Sequence, residues 1–353
     1  MSTLILPCAG RSSRFPNMKP KWLLTHPQGE LVIQKSISGI DLNKYDRVII
    51  TITKEHVEKF DAKLIIEQAF LGRDIEICVL DNFTSSQSET IYLTLKYMNV
   101  TSMFVVKDSD NFVSYEVPCT DNFVIGLDIS TYANEVLRLK SKSFLVLNEQ
   151  NQIIDIIEKQ IKSNIICLGT YGFDSADKFS KAFTLLKKYS KNNVEIYPSH
   201  IIAYLIGTGQ STYQYKEATN FEDWGTLEDW VNVQKKYSTY FIDVDGVLLK
   251  NCGKYGKINW TNNVEILQSN IDLVNYLSKN GAQIIFTTAR TEDNRKFLED
   301  LFHQHSIQYY AIIMGCNHTN RFIINDFSPT NPYPSCVAVN IPRDSELGVY
   351  LTK

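Results

Sequence analysis

Leu4-Ile5-Leu6-Pro7-Cys8-Ala9-Gly10-Arg11-Ser12-Ser13-Arg14-Phe15, followed by Lys19-Pro20-Lys21, is the stretch that decides how this chain is read. An apolar run that breaks into a turn of small residues exposes successive backbone N–H groups, and these cradle phosphate oxygens without side-chain crowding. Arg14, Lys19 and Lys21 add positive charge where a triphosphate and a second phosphate would meet. Taken bare, the same loop also reads as solvated surface. Beyond it, short apolar runs alternate with longer helix-like stretches, the pattern of an α/β protein with a largely parallel sheet. Arg47–Thr53 and Met103–Lys107 read as strands, with Ile91, Leu95 and Met98 between them at helical spacing. Asn164–Phe173 and the helix-like Ser175–Tyr189 continue the alternation.

The chain has 353 residues, which favours two domains. Lys and Arg number 36 against 39 Asp and Glu, so the formal charge is 36 − 39 = −3. That balance argues against a general nucleic-acid or membrane-surface binder, and any anionic partner must be met locally. Seven cysteines with no CxxC pair fit a reducing, cytoplasmic setting. No run approaches the roughly 18–20 apolar residues of a membrane span, and the start lacks the basic segment of a signal peptide.

Near residue 237 the pattern restarts with Tyr240-Phe241-Ile242, so the boundary is placed there, giving domains 1–236 and 237–353. The second unit is expected to run helix Asn270–Lys279 with Gly281 as its stop, strand Gln283–Thr287, helix (Phe297, Leu298, Leu301, Phe302 on one face), strand Arg321–Asn325. That describes a small doubly wound sheet. Its first strand ends in Asp243-Val244-Asp245-Gly246, two carboxylates at i and i+2 that can act on a phosphorus and on its leaving oxygen.

The opening loop resembles the signature of the sugar-phosphate nucleotidyltransferases, a strand followed by Ala-Gly-x-Gly-x-Arg and then Lys-Pro-Lys. Ala9, Gly10, Arg14 and Lys19-Pro20-Lys21 match, while Ser12 stands where the family has its second glycine. The resemblance implies a mixed Rossmann-like sheet whose loop, Pro7 and Ala9 to Arg14 (Gly10, Arg11, Ser12 and Ser13 between them), binds a nucleoside triphosphate. Arg14 would contact the leaving phosphates and Lys21 would steady the attacking one. Asp108-Ser109-Asp110-Asn111-Phe112 resembles the family's strand-end acidic motif, so Asp110, with Asp108 as the alternative, would hold Mg²⁺. Glu222-Asp223-Trp224-Gly225-Thr226 resembles its late Asp-x-Gly-Thr, making Asp223 the partner ligand. Singly, each Asp also reads as a helix cap or turn residue. Glu158-Lys159 is similar to the sugar-proximal Glu-Lys, Gly169 to Phe173 to the Gly-x-Tyr-x-Phe strand, and Gln87 lies where the family contacts base or sugar.

The Asp243 segment resembles the first motif of the haloacid dehalogenase superfamily, with a similar second motif at Ile284 to Arg290 and a fourth at Ile323-Ile324-Asn325-Asp326. The resemblance implies Asp243 as nucleophile, Asp245 as general acid and base, Thr288 on the phosphoryl group, and Asp326 completing an Mg²⁺ site with Asp243 and the Asp245 backbone carbonyl. The superfamily's lysine is missing; Lys296 sits on a helix, and Arg321 is the substitute. No room exists for a large cap, and Lys250–Asn263 is long enough only for a flap.

Together the two resemblances imply a bifunctional, Mg²⁺-dependent enzyme of the capsule or lipopolysaccharide type. It would join a nucleotide, CTP before UTP or dTTP, to a sugar or polyol phosphate, beside a phosphatase-like domain. The rivals are a phosphatase with a nucleotide-sensing first domain, a transferase whose second domain is inactive and structural, and a binding or assembly protein with two degenerate sites. A homo-oligomer is left open.

Overall fold

The computed structural model describes residues 2–15, 18–116, 121–130, 139–190, 194–251, 264–326 and 335–351. The chain divides into two compact units, Met1–Trp230 and Val231–Lys353, and the division falls within the helix Leu227–Lys236.

In the first unit, strands β1 (Thr3–Pro7), β2 (Arg47–Thr53), β3 (Glu76–Leu80), β4 (Phe104–Lys107), β6 (Phe123–Asp128), β7 (Ser143–Leu147), β8 (Gln152–Glu158), β9 (Ile165–Phe173) and β10 (Tyr213–Glu217) build one sheet. Their order is β3-β2-β1-β4-β9-β6-β10-β8-β7. The strands β5 (Asn111–Ser114) and β11 (Asn220–Asp223) form a separate antiparallel ribbon. The β3-β2-β1-β4 half is parallel and β9 turns the sheet antiparallel, so it is mixed rather than largely parallel.

Strand periodicity explains the two cores. Successive side chains point to opposite faces, and on β1 Leu4 and Leu6 enter one cluster while Ile5 enters the other. β2 repeats the division, with Val48, Ile50 and Ile52 against Ile49. A strand buried on both faces needs a near-continuous apolar run, which is how Arg47–Thr53 reads. The helix Gln87–Tyr97 is capped by Ser86 Oγ, which accepts from the Glu89 amide at 3.2 Å, and it buries Ile91 and Leu95; Met98 lies just past its end. Ser175 caps Ala176–Tyr189 in the same way.

The second unit carries β12 (Thr239–Asp243), β13 (Gln283–Thr287) and β14 (Ala311–Ile313), parallel and in chain order. Helix Gln268–Lys279 is followed by Gly281 at φ 109°, and helix Arg295–Gln304 buries Leu298 and Phe302. The expected strand at Arg321–Asn325 is not formed. The third strand is Ala311–Ile313 instead, and Phe322 and Ile324 are 83% and 94% exposed. An apolar run alone does not make a strand; it needs a ladder partner, and Arg321–Asn325 has none among the described residues. The doubly wound expectation is corrected accordingly to a three-stranded parallel sheet. The flap expected at Lys250–Asn263 lies, from residue 252 on, outside the described residues.

One buried histidine gives the first unit a pH dependence. His56 closes a capping box with Thr53 and stacks edge-on against Trp22 and Phe83. Burial pulls it from an ordinary 6.5 to about 4, so the folded state resists a proton that the unfolded chain accepts. Its contribution is full above pH 6.5 and is lost as pH falls toward 4. His56→Gln, which keeps the acceptor without the titration, is expected to flatten the profile. Chemical denaturation between pH 7.5 and 5 should show the wild type losing about 2 kcal/mol more than the variant.

Candidate active site

The phosphate loop leaves β1 at Pro7 and is pinned from both sides. The Cys8 amide donates to Thr51 O at 2.8 Å, and Ala9 O accepts from the Thr84 amide at 3.3 Å. Ser12 has φ 48°, the left-handed region where glycine is favoured. The family's second glycine thus coincides with a backbone need that Ser12 meets under strain. The Ser12 Oγ accepts from the Lys21 amide at 3.4 Å, tying the loop to the Lys19-Pro20-Lys21 turn. Arg11 lays its guanidinium over the Phe83 ring at 4.7 Å, while Gly10 and Ser13 line the cavity.

Asp110 and Asp223 lie 113 positions apart, and the β5–β11 ribbon brings them together. Asp223 is in register with Asn111, and the Trp224 amide donates to Asp110 O at 3.0 Å. Gly225 marks the focus. A Cβ there would stand 3.2 Å from Asp223 Oδ1, 3.7 Å from Asp110 Oδ2 and 4.0 Å from Arg14 Nη1. Arg14 also donates to Gly225 O at 3.4 Å. Lys21 pairs with Asp110 and Lys142 with Asp223. Burial works against ionisation of Asp110, yet Lys21 first and then Lys142 and Lys107 pull it down to about 2.

Asp108 has a different environment. Gln87 Nε2 donates to its Oδ1, its amide donates to Gly169 O at 2.8 Å, and a Cβ at Gly169 (φ 69°) would run into its carboxylate. Burial first, then the Asp110 charge, push it up to about 7. Among the described residues no three His, Cys, Asp or Glu side chains gather closely enough to hold a metal ion. Beneath the turn, wholly buried Lys107 donates to Asp108 O (2.5 Å), Asn111 O (3.1 Å) and Asn111 Oδ1 (2.5 Å). Three donors meet three acceptors and lock residues 108 to 111.

The cavity, about 550 Å³, continues to a hydroxyl-lined end. Glu158 there accepts from Ser143 Oγ and, at 2.6 Å, from Ser199 Oγ. Lys159, at φ 56°, donates to Tyr197 Oη at 2.6 Å, and Tyr197 donates to Glu195. The sequence reading missed Lys142, Lys107, Ser143, Ser199 and Tyr197. Nothing in Ser141-Lys142-Ser143 sets it apart from a surface turn, and only the fold carries it to Asp223.

In the second unit Asp243 ends β12 and Asp245 lies in the turn beyond it. Burial pushes Asp243 above the ordinary carboxylate value, against the opposing charges of Arg321 and Arg343. Arg321 Nη2 lies 3.3 Å from Asp243 Oδ1; Lys296 lies exposed on its helix. Asp245, by contrast, accepts from Arg290 Nε at 2.9 Å and Nη2 at 2.8 Å, with side chains 7% and 0% exposed. Thr288 is buried and its Oγ1 accepts from the Arg290 amide at 3.1 Å. Asp326 stands on the exposed segment that forms no strand, its carbonyl accepting from Ser335 Oγ at 2.8 Å. The strand expected to deliver Asp326 to Asp243 and the Asp245 carbonyl is not formed among the described residues.

No protein-family model matches the chain, and no curated protein matches it. Solved structures do. A nucleoside-diphosphate-sugar pyrophosphorylase from Vibrio cholerae aligns with TM-score 0.54 and 17% identity, over 65% of this chain and 98% of that one. An inositol-1-phosphate CTP transferase from T. maritima aligns with TM-score 0.50 and 14% identity, over 66% and 96%. A UDP-glucose pyrophosphorylase complexed with UDP-glucose gives 0.50 and 14%, over 66% and 97%. The shared feature is the nucleotidyltransferase fold, over about two thirds of this chain.

The buried pair in the second unit predicts a sharp stability effect. Arg290→Met leaves the Asp245 carboxylate buried without its partner, which costs about 3–5 kcal/mol. Hydrogen exchange in β12 and β13 should accelerate accordingly, and Arg290→Met combined with Asp245→Leu should recover most of the protection.

Proposed function

We propose that the first unit, taken to the end of its last helix as residues 1–236, transfers a nucleotidyl group from a nucleoside triphosphate to a sugar or polyol phosphate. The observation that carries this reading is the convergence of Arg14, Asp110 and Asp223 on Gly225, at the mouth of a phosphate loop. The nucleotidyltransferase fold supports it. CTP is the first candidate and rests on the sequence resemblance, as do the link to capsule or surface polysaccharide and the cytoplasmic location. The five described cysteines, all free thiols, suit that compartment. No helix among the described residues is long and apolar enough to cross a membrane.

An acceptor phosphate oxygen attacks the α-phosphorus. A new P–O bond forms as the bond to the bridging oxygen breaks, and that electron pair leaves with pyrophosphate. The nucleophile is already ionised, so no residue takes a proton, and catalysis is positioning plus electrostatics. Arg14 faces the departing phosphates, Lys21 the attacking one, and Glu158 with its two serines takes substrate hydroxyls. Two carboxylates with hard oxygens, beside a glycine that leaves space, suit Mg²⁺, which keeps waters and shares its shell with substrate phosphates. Bound by Asp110 and Asp223, Mg²⁺ would neutralise phosphate charge.

For residues 237–353 the phosphatase-like reading is carried by sequence resemblance, but the Arg290–Asp245 pair favours an inactive, structural form of it. A general acid must bring a proton to its leaving group, and both Asp245 oxygens already accept guanidinium donors. Phosphate release that depends on Asp243, lost in Asp243→Asn across a broad ester screen, would restore the active phosphatase.

Pyrophosphate release across a panel of triphosphates and sugar or polyol phosphates tests the transferase. Turnover is expected to fall by about two orders of magnitude or more in Asp223→Ala, with the fold intact by circular dichroism. Near-normal turnover in that variant would sink the assignment.

A further inference from the structure

Lys142 belongs to none of the motifs in the sequence, yet it lies on the cavity wall between the two aspartates and the hydroxyl-lined end. Its backbone is fixed at that end. Lys142 O accepts from the Lys159 amide at 3.0 Å, and the next residue, Ser143, donates to Glu158. Its ammonium group is held differently. It pairs with Asp223 and lies 5.4 Å from the centroid of the Phe221 ring. Both side chains of the pair are 15% exposed, so the ammonium opens onto the cavity.

We propose that Lys142 is a receptor for the phosphate of the acceptor substrate, released from Asp223 when a divalent cation takes that carboxylate. The proposal rests on the transferase reading above. Two lysines balance two aspartates on the cavity wall, Lys21 on Asp110 and Lys142 on Asp223. A divalent cation arriving between those carboxylates adds two positive charges beside two ammonium groups and removes their acceptors. An ammonium on a flexible four-carbon stem then needs new oxygens. The phosphate of a molecule whose hydroxyls sit at Glu158 brings them within the reach of Lys142. Metal and acceptor phosphate should accordingly favour each other's binding, because each removes a cost that the other meets.

The test uses the full chain as wild type, Lys142→Met, Lys142→Gln and Lys142→Arg. In turnover, Lys142→Met should raise KM for the acceptor about ten- to hundredfold and KM for the triphosphate less than about twofold, with Lys142→Arg recovering most of the loss. The second readout needs no turnover. Mn²⁺ binding, followed by electron paramagnetic resonance, should be at least as tight in Lys142→Met as in wild type, since the competing ammonium is gone. Inorganic phosphate should tighten Mn²⁺ binding in wild type and not in Lys142→Met; Lys142→Gln repeats both measurements should the methionine variant misfold. Unchanged acceptor KM, or equal coupling in wild type and variant, overturns the receptor and leaves the transferase standing. A wild type inactive on the whole panel that still shows the coupling, lost in Lys142→Met, overturns the transferase and leaves the receptor.

Discussion

The backbone hydrogen bond from Trp224 to Asp110, closing the β5–β11 ribbon, is the constraint on which the first unit's site depends. Without that ribbon the two carboxylates belong to distant stretches of chain. The ribbon is held by burial: Val113 and Phe221, in register, are wholly or almost wholly buried and enter the same core cluster. A second brace is polar. Trp224 Nε1 donates to Glu222 at 3.0 Å, and the His26 ring packs against both Trp224 and Trp230. Alternation along β11 does the rest, since residues 221 and 223 share a face opposite residue 222. The ribbon can therefore bury Phe221 and present Asp223 only if the register does not slip, because a one-residue shift exchanges the faces.

Charge is the second organising constraint. Asp108 and Asp110 lie close enough for the charge of one to act on the other, and Lys107 feels both of them and Asp223, while Lys21 and Lys142 pair with Asp110 and Asp223. The three lysines do different work. Lys107 has all its donors satisfied by the turn it closes and no exposure, so it fixes backbone. Burial pulls it down to about 8 despite the three aspartates around it. Lys21 and Lys142 stand at the cavity, each with a single carboxylate partner among the described contacts.

What was legible in the sequence follows from locality. β1 and β2 announce themselves because a strand buried on both faces must be apolar throughout. The loop was legible because backbone geometry limits the residues allowed, even where Ser12 at φ 48° strains that limit. Lys142 was not legible, because its role arises from a pairing made 81 positions away by tertiary structure. β14 was missed and Arg321–Asn325 taken for a strand for one reason: Ala311–Ile313 is short, whereas Phe322-Ile323-Ile324 is richer in β-formers. Propensity names the better candidate strand, but the β13 ladder decides which one is used.

Two aspartates of identical chemistry, two positions apart, show how much a site owes to its second layer. Asp243 is the last residue of β12, partly exposed, and meets a guanidinium on only one oxygen. Asp245 sits in the turn beyond, where Gly246, at φ 91°, donates to Leu249 O at 2.6 Å and folds the chain back. There it meets Arg290, whose amide is fixed on Thr288 and whose carbonyl accepts from Gly315 at 2.8 Å. Arginine keeps its charge at any working pH and grips a carboxylate with two parallel donors. The arrangement thus divides two neighbouring carboxylates: Asp243 with Arg321 stays partly open to solvent, whereas Asp245 with Arg290 is buried in the turn.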